Sequence, residues 1–240
     1  MNFRKKPLLA RREISLLVLI GLVSVIVVSV LIGVNLGLSR IVPGGGGFYV
    51  VWEGARSFLM SHTDPYRVSI ASQTQELVYG RAAQQGENPY FLTVPFFLLP
   101  IYFPLALISD PAIARGIWML LCEAMLVATA IIGLRLIEWQ PRRFFFMSFI
   151  LLSIFTFYSV DSLLEGSPTI LLGLLFIGIL SAYSTGQDEL VGALLVFSLF
   201  YWEVSFPFVL LTFWRVFLDK RSRVLNGFGM LLAILMILSF

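Results

Sequence analysis

From Ile14 to Leu38 the chain runs about 25 residues without a charge, "ISLLVLIGLVSVIVVSVLIGVNLGL", more than the ~20 that carry a helix across the ~30 Å hydrocarbon core of a bilayer. No other feature constrains the fold as strongly. In lipid every backbone N–H and C=O must be paired within the protein, so such a run folds as helix. Further apolar runs follow at 112–134, 144–160, 170–184 and 190–218. Composition agrees, with 58% hydrophobic and 13% charged residues, against about 25% charged in soluble chains. The expectation is an all-α fold: a polytopic membrane helical bundle forming one membrane domain over 1–240, with 14–38 as its first span.

Several function classes drop out early. One histidine, His62, and one cysteine, Cys122, leave no intramolecular disulfide and too few ligands for a zinc site of the usual kind. No phosphate-binding or dinucleotide-binding glycine pattern occurs. The net charge of +3 is clustered at helix ends, which fits topology and not nucleic acid. Arg4, Lys5, Lys6, Arg11 and Arg12 precede the first apolar run, whose length exceeds the 7–15-residue core of a signal peptide. It reads as a retained span with a cytoplasmic N-terminus.

Residues 39–111 read as an outer loop. Phe48, Val51, Trp52, Ala55 and Leu59 share one helical face, with Glu53, Arg56 and Ser57 opposite, the pattern of an amphipathic helix lying in the interface. Asp64-Pro65-Tyr66 breaks it, and a second helical patch covers about Ser69 to Gln84. The run 91–108 holds Pro95, Pro100 and Pro104 and reads as a broken or re-entrant segment, or alternatively as a span. With 91–108 not crossing, Arg135, Arg142 and Arg143 fall inside, as the positive-inside rule expects. Residues 144–160 then return outward, "VDSLLEGSPT" (160–169) is an outer loop with Asp161 as a helix N-cap, and 170–184 go inward. The block 190–218 has basic residues after it, Arg215, Lys220, Arg221 and Arg223, which call for a bent hairpin with its tip at 201–207. A single long tilted span is the alternative. The chain ends within an apolar run, so 112–240 is expected to lack a C-terminal part.

This topology gathers Glu53, Asp64, Asp161, Glu165 and Glu203 at one boundary, where carboxylates next to apolar helices point to function. A half-buried carboxylate acts as a general base when its pKa rises toward working pH. Glu53 could instead pair with Arg56, and Asp64 could simply shape a turn. Trp52, Trp118 and Trp202 could be interfacial anchors.

Four stretches, "PGGGGFYVVWEGARSFL" with "DPY", "NPYFLTVPFFLLPIYFPLALISDPAIARGIWMLL", "LLEGSPTILLGLLFIGIL" and "ELVGALLVFSLFYWEVSFPFVLLTFWRVF", resemble glycosyltransferase family 87. These are polyprenol-phosphate-mannose-dependent mannosyltransferases of the membrane-embedded C superfamily. The resemblance implies sugar transfer, with mannose the family's sugar, from a polyprenyl-phosphate donor to an envelope glycan or lipid acceptor, at the outer face of a cell (inner) membrane. The donor is a substrate, no metal or other cofactor is assigned, and partners are the lipid-linked sugar and membrane lipids. In that family a first-loop carboxylate deprotonates the acceptor and basic groups steady the leaving phosphate. An aspartate is expected where Gly47 stands, and a lysine at the hairpin tip, where Tyr201 and Glu203 stand. Glu53 and Asp64 are therefore the candidate bases. Arg56, Tyr66, Arg67, Glu165, Tyr201 and Glu203 are the candidate substrate contacts. The alternative is a non-catalytic relative serving as scaffold or lipid-binding partner in envelope assembly.

Overall fold

The structure, a computed structural model, describes residues 6–239; Arg4 and Lys5 of the basic N-terminus lie outside the described residues. Every regular element among them is helical: α1 (Lys6–Ile41), α2 (Gly46–Ser61), α3 (Val68–Tyr79), α4 (Leu99–Ala106), α5 (Pro111–Leu136), α6 (Arg143–Phe155), α7 (Phe157–Glu165), α8 (Thr169–Ser184), α9 (Asp188–Ser198), α10 (Trp202–Leu218) and α11 (Arg223–Ser239). Three continuous stretches, Gly21–Ile41, Pro111–Leu136 and Asp188–Leu218, are long and apolar enough to cross a membrane. The pair α6–α7, bent by 49° at Thr156, makes a fourth if counted as one.

Length and composition alone mislead for Asp188–Leu218. Straight, its 31 residues would measure about 46 Å. Yet Arg221, just past its end, donates to Asp188 Oδ1 at 3.2 Å and to Tyr183 O at 2.8 Å. Tyr183 also donates to Asp219 at 2.5 Å. Both ends therefore lie together, and the chain folds back at a 3₁₀ turn, Leu199–Tyr201. Tyr201 leaves the helical region (φ −120°, ψ 71°), and Ser205 Oγ bonds back to Ser198 O at 2.7 Å. Val191 and Leu195 of one arm share a core with Val209 and Val216 of the other. The expected hairpin is present, with its tip two residues earlier than expected. Its alternative, one long tilted span, is excluded by these contacts.

The segment after residue 91 cannot cross by itself either. Residues 91–95 are extended, 96–98 form a 3₁₀ turn, and α4 has 8 residues. It lies beneath α2, whose Trp52 Nε1 donates to Leu105 O at 2.9 Å and whose Arg56 donates to Ala106 O at 2.8 Å. Arg56 thereby pairs a carbonyl that the end of a short helix leaves free, while Leu105 O accepts both the indole and the Ile108 N–H.

Three details depart from the sequence reading. α3 stops at Tyr79, with Gly80 (φ 68°) as its left-handed cap, and does not reach Gln84. Residues 157–165 are helix, not loop, and the N-cap is Thr156, which accepts Ser159 N–H at 3.4 Å; Asp161 sits mid-helix and exposed. Trp52 and Trp118 are 2% and 1% exposed, so they are core residues with bonded indole N–H groups; of the three expected anchors, Trp202 alone is exposed.

The far end of the molecule, opposite α2, is closed by α9 and α11. Gly192 and Gly227 let the two backbones meet: a Cβ at Gly192 would overlap Val224 O, and one at Gly227 would overlap Glu189 O. Small residues at such crossings replace the hydrophobic drive that is missing in lipid. Gly192→Ala is expected to destabilise by about 1–3 kcal/mol in thermal unfolding of the detergent-solubilised protein. Gly173→Ala, where a Cβ meets nothing within 4 Å, should be neutral or stabilising.

Candidate functional site

The end of the molecule that carries α2 is assembled around one residue of α5. Arg115 is 1% exposed and donates to Ser39 O at 3.3 Å, Val42 O at 3.0 Å and Leu164 O at 2.5 Å. Those carbonyls belong to the C-terminal ends of α1 and α7, where unpaired C=O groups and the helix dipole both favour a cation. The glycine run packs over the guanidinium. Gly44 and Gly45 have φ of 117° and 85°, a region that favours glycine, and a Cβ at Gly45 would lie 2.6 Å from Arg115 Nε.

Glu165 completes the junction. Its Oε1 accepts the Gly47 N–H at 2.9 Å, so a carboxylate from α7 caps the N-terminus of α2 from across the fold. One residue on, Gly166 O accepts the Trp118 indole N–H at 2.9 Å. A Cβ at Gly47 would sit 3.1 Å from Glu165 O and 3.3 Å from Ser167 Cα. Beside position 47, where the family resemblance expects an aspartate, this chain therefore already holds a carboxylate. Tyr90 lies against Gly46; burial, the Tyr79 hydroxyl and the nearby Glu165 charge all push its phenol up.

A second cluster lies on another face of α2. Glu53, Arg56, Ser57, Ser61, Thr63, Ser69 and Gln73 line a cleft of about 310 Å³ between α2 and α3. Glu53 is half-buried there, and burial raises its carboxyl above the ordinary value, Arg56 opposing. Arg56 itself is directed at the Ala106 and Ile108 carbonyls, at 2.8 and 3.4 Å, and lies 5.4 Å from the Trp52 ring centre. The polar face of α2 is thus partly covered by α3, with Glu53 and Arg56 half-buried and Ser61 and Ser69 exposed at the rim.

The other expected site residues are dispersed. Asp64 is exposed, and its Oδ1 accepts the Tyr66 N–H at 3.0 Å, the geometry of a turn-forming aspartate. The Tyr66 hydroxyl donates to Val94 O at 3.0 Å, tying that turn to the irregular segment before α4. Arg67 is exposed, and no side-chain partner is present among the described residues. Tyr201 reaches the Ser167 hydroxyl, which joins the hairpin tip to the α7–α8 turn, while Glu203 is exposed in the first turn of α10. Glu53 and Gly47 are six residues apart on α2, about 9 Å along its axis, and point to different sides. Glu165 and Glu53 therefore belong to two clusters.

The loop beyond α3 is held by Arg81, which donates twice to Glu87, at 2.8 and 2.7 Å. With the Gln84 N–H added, these bonds hold the Glu87 carboxyl down at about 2. No group of three or more His, Cys, Asp or Glu side chains able to hold a metal occurs among the described residues.

Sequence reasoning overlooked Arg115, and with it Asn35 and Glu123. Asn35 of α1 and Glu123 of α5 face each other between these apolar helices, yet Asn35 Nδ2 and Glu123 Oε2 are buried without a hydrogen bond of ordinary geometry. All three carry the same legible signal, a polar or charged residue within a hydrophobic run. The chain matches no protein-family model, no curated protein and no solved structure.

The raised Glu53 pKa has a direct consequence. A carboxyl raised on folding contributes stability that is complete below its ordinary value, 4.5, and is lost as pH rises through the raised value. Glu53→Gln should therefore unfold a few degrees above the unsubstituted protein at pH 8, and the two should converge near pH 4. Parallel melting curves across that range would show that Glu53 is not desolvated.

Proposed function

We propose that this is a multi-pass membrane protein that transfers a sugar from a polyprenyl-phosphate donor to an envelope glycan or lipid, with Glu53 as general base. The observation that carries the reading is the α2–α3 cleft. It combines a half-buried carboxyl of raised pKa with a lining of hydroxyl and amide groups. A hydroxyl-bearing acceptor suits such a lining, and a raised carboxyl is matched to proton abstraction near neutral pH. Asp64 is the weaker base, because its carboxylate is exposed and engaged by the Tyr66 N–H. Arg67, at the start of α3 and without a side-chain partner among the described residues, is the arginine available to a leaving phosphate; Arg56 is committed to the carbonyls at the end of α4. Glu165 positions the start of α2 and does not act on substrate.

Charge placement supports the orientation. Arg135, Arg142, Arg143, Arg215, Lys220, Arg221 and Arg223 sit at the end opposite α2. By the positive-inside rule that end faces the cytoplasm and the cleft faces outward, in a cell (inner) membrane.

A second reading, a non-catalytic lipid-binding relative, is favoured by the absence of a lysine at the hairpin tip, where Tyr201 and Glu203 stand. Both readings are tested by incubating the reconstituted protein with labelled polyprenyl-phosphate sugars, polyprenyl-phosphate mannose first. The proposal expects transfer, a loss of about 100-fold or more in Glu53→Gln, and Asp64→Asn within about twofold of the unsubstituted protein. Undiminished transfer by Glu53→Gln rejects Glu53 as base. Donor binding without any transfer selects the non-catalytic reading.

A further inference from the structure

At the far end, α10 and α11 leave a groove of about 1020 Å³ between them. Its walls are apolar, with Leu210, Trp214 and Phe217 on α10 and Leu225 on α11; Trp214 and Phe217 are 65% and 78% exposed. Polar groups occur only at its mouth, in the turn from Lys220 to Ser222.

The cations at that mouth are not equivalent. Arg221 is engaged, donating to Asp188 and Tyr183 O and stacking 4.2 Å from the Tyr183 ring centre. Arg215 pairs with Asp219 at 3.1 Å. Lys220, held outward by a left-handed backbone (φ 54°), and Arg223 at the first position of α11 have no side-chain partner among the described residues. The turn thus brings Lys220 into the lining of the apolar groove, with Arg223 three residues on at the start of α11.

We propose that this groove binds an anionic phospholipid of the surrounding leaflet, with its phosphate at Lys220 and Arg223 and an acyl chain along Trp214 and Leu210. The dimensions agree. Leu210 to the end of α10 at Leu218 is eight residues, about 12 Å of helix, and with the turn that carries Lys220 just beyond, this is close to half of the ~30 Å hydrocarbon core and so to the depth of one leaflet. The polarity runs in a phospholipid's order, apolar through the depth and cationic at the surface, as in basic pockets between helices that hold anionic headgroups. A second copy of the chain fits poorly, because a two-fold contact through this groove brings the same free cations to the same height. The site does not depend on the transfer reaction proposed for the opposite end.

The test uses the full chain in phosphatidylcholine vesicles containing a minor fraction of phosphatidylglycerol or phosphatidylcholine with brominated acyl chains, which quench nearby tryptophan. The Trp214 signal is the difference between the unsubstituted protein and Trp214→Phe. Phosphatidylglycerol is expected to bind about tenfold or more in preference to phosphatidylcholine, from the attraction of two basic groups. Lys220→Gln/Arg223→Gln should bring that ratio close to one, and Arg142→Gln/Arg143→Gln, charges at the same end but outside the groove, should leave it unchanged. Equal quenching by both lipids in the unsubstituted protein overturns the proposal, as does a preference that survives in the Lys220/Arg223 variant. So does an unquenched Trp214 together with cross-linking between copies through Leu211→Cys, which would show a second copy in the groove. Should the double variant not fold, the salt dependence of the unsubstituted protein decides: a headgroup contact weakens as salt rises, and a preference insensitive to salt overturns it.

Discussion

The structure depends on a single problem of helix ends in an apolar setting and on the arginines that solve it. A helix leaves its last carbonyls unpaired, and in lipid no water is present to pair them. Arg115 takes this role for α1 and α7 together, Arg56 for the carbonyls at the end of α4, and Arg221 for the end of α8. In each case a planar guanidinium reaches more than one acceptor, or one acceptor and an aromatic face, which a lysine cannot reproduce. Arg115 is the most buried of the three, and the glycine run, Glu165 and Trp118 are all arranged about it.

This arrangement separates structural charge from charge that is free to act. At the end that carries α2, Arg115 and Arg56 are consumed by the fold, and Glu165 is consumed by the α2 N-terminus. Glu53 in its cleft and Arg67, without a side-chain partner among the described residues, are left uncommitted by the fold. At the far end, Arg221 and Arg215 are paired, whereas Lys220 and Arg223, in the turn beside the groove, have no side-chain partner among the described residues. The functional proposals rest on these remainders, because a group already satisfied within the protein has little to offer a ligand.

The parts of this fold that the sequence revealed are those governed by local rules. The buried face of α2 follows from the spacing of Phe48, Val51, Trp52 and Ala55. The broken segment after residue 91 follows from its prolines. The α9–α10 hairpin follows from the charges on its flanks and not from its hydropathy, which alone suggests one long span. The missed parts are contacts between residues far apart in the chain. Nothing local in "AIARGIW" shows that Arg115 meets residues 39, 42 and 164, although an arginine in that run is itself a signal. The meeting of Gly47 with Glu165 lies 118 residues apart, beyond any reading by pattern. The same limit explains why the sequence gathers the acids at one boundary, while the structure divides Glu53 and Glu165 between two faces of α2.

If Arg115 holds that end together, its loss should be felt on three elements at once and nowhere else. The direct measurement is amide hydrogen exchange, by mass spectrometry, on the reconstituted protein and on Arg115→Gln, whose shorter side chain cannot span the three carbonyls. Exchange should rise about tenfold or more at the end of α1, at the start of α2 and around 164–169, with α9 and the start of α11 unchanged. Equal protection of those segments in the two proteins would contradict the account.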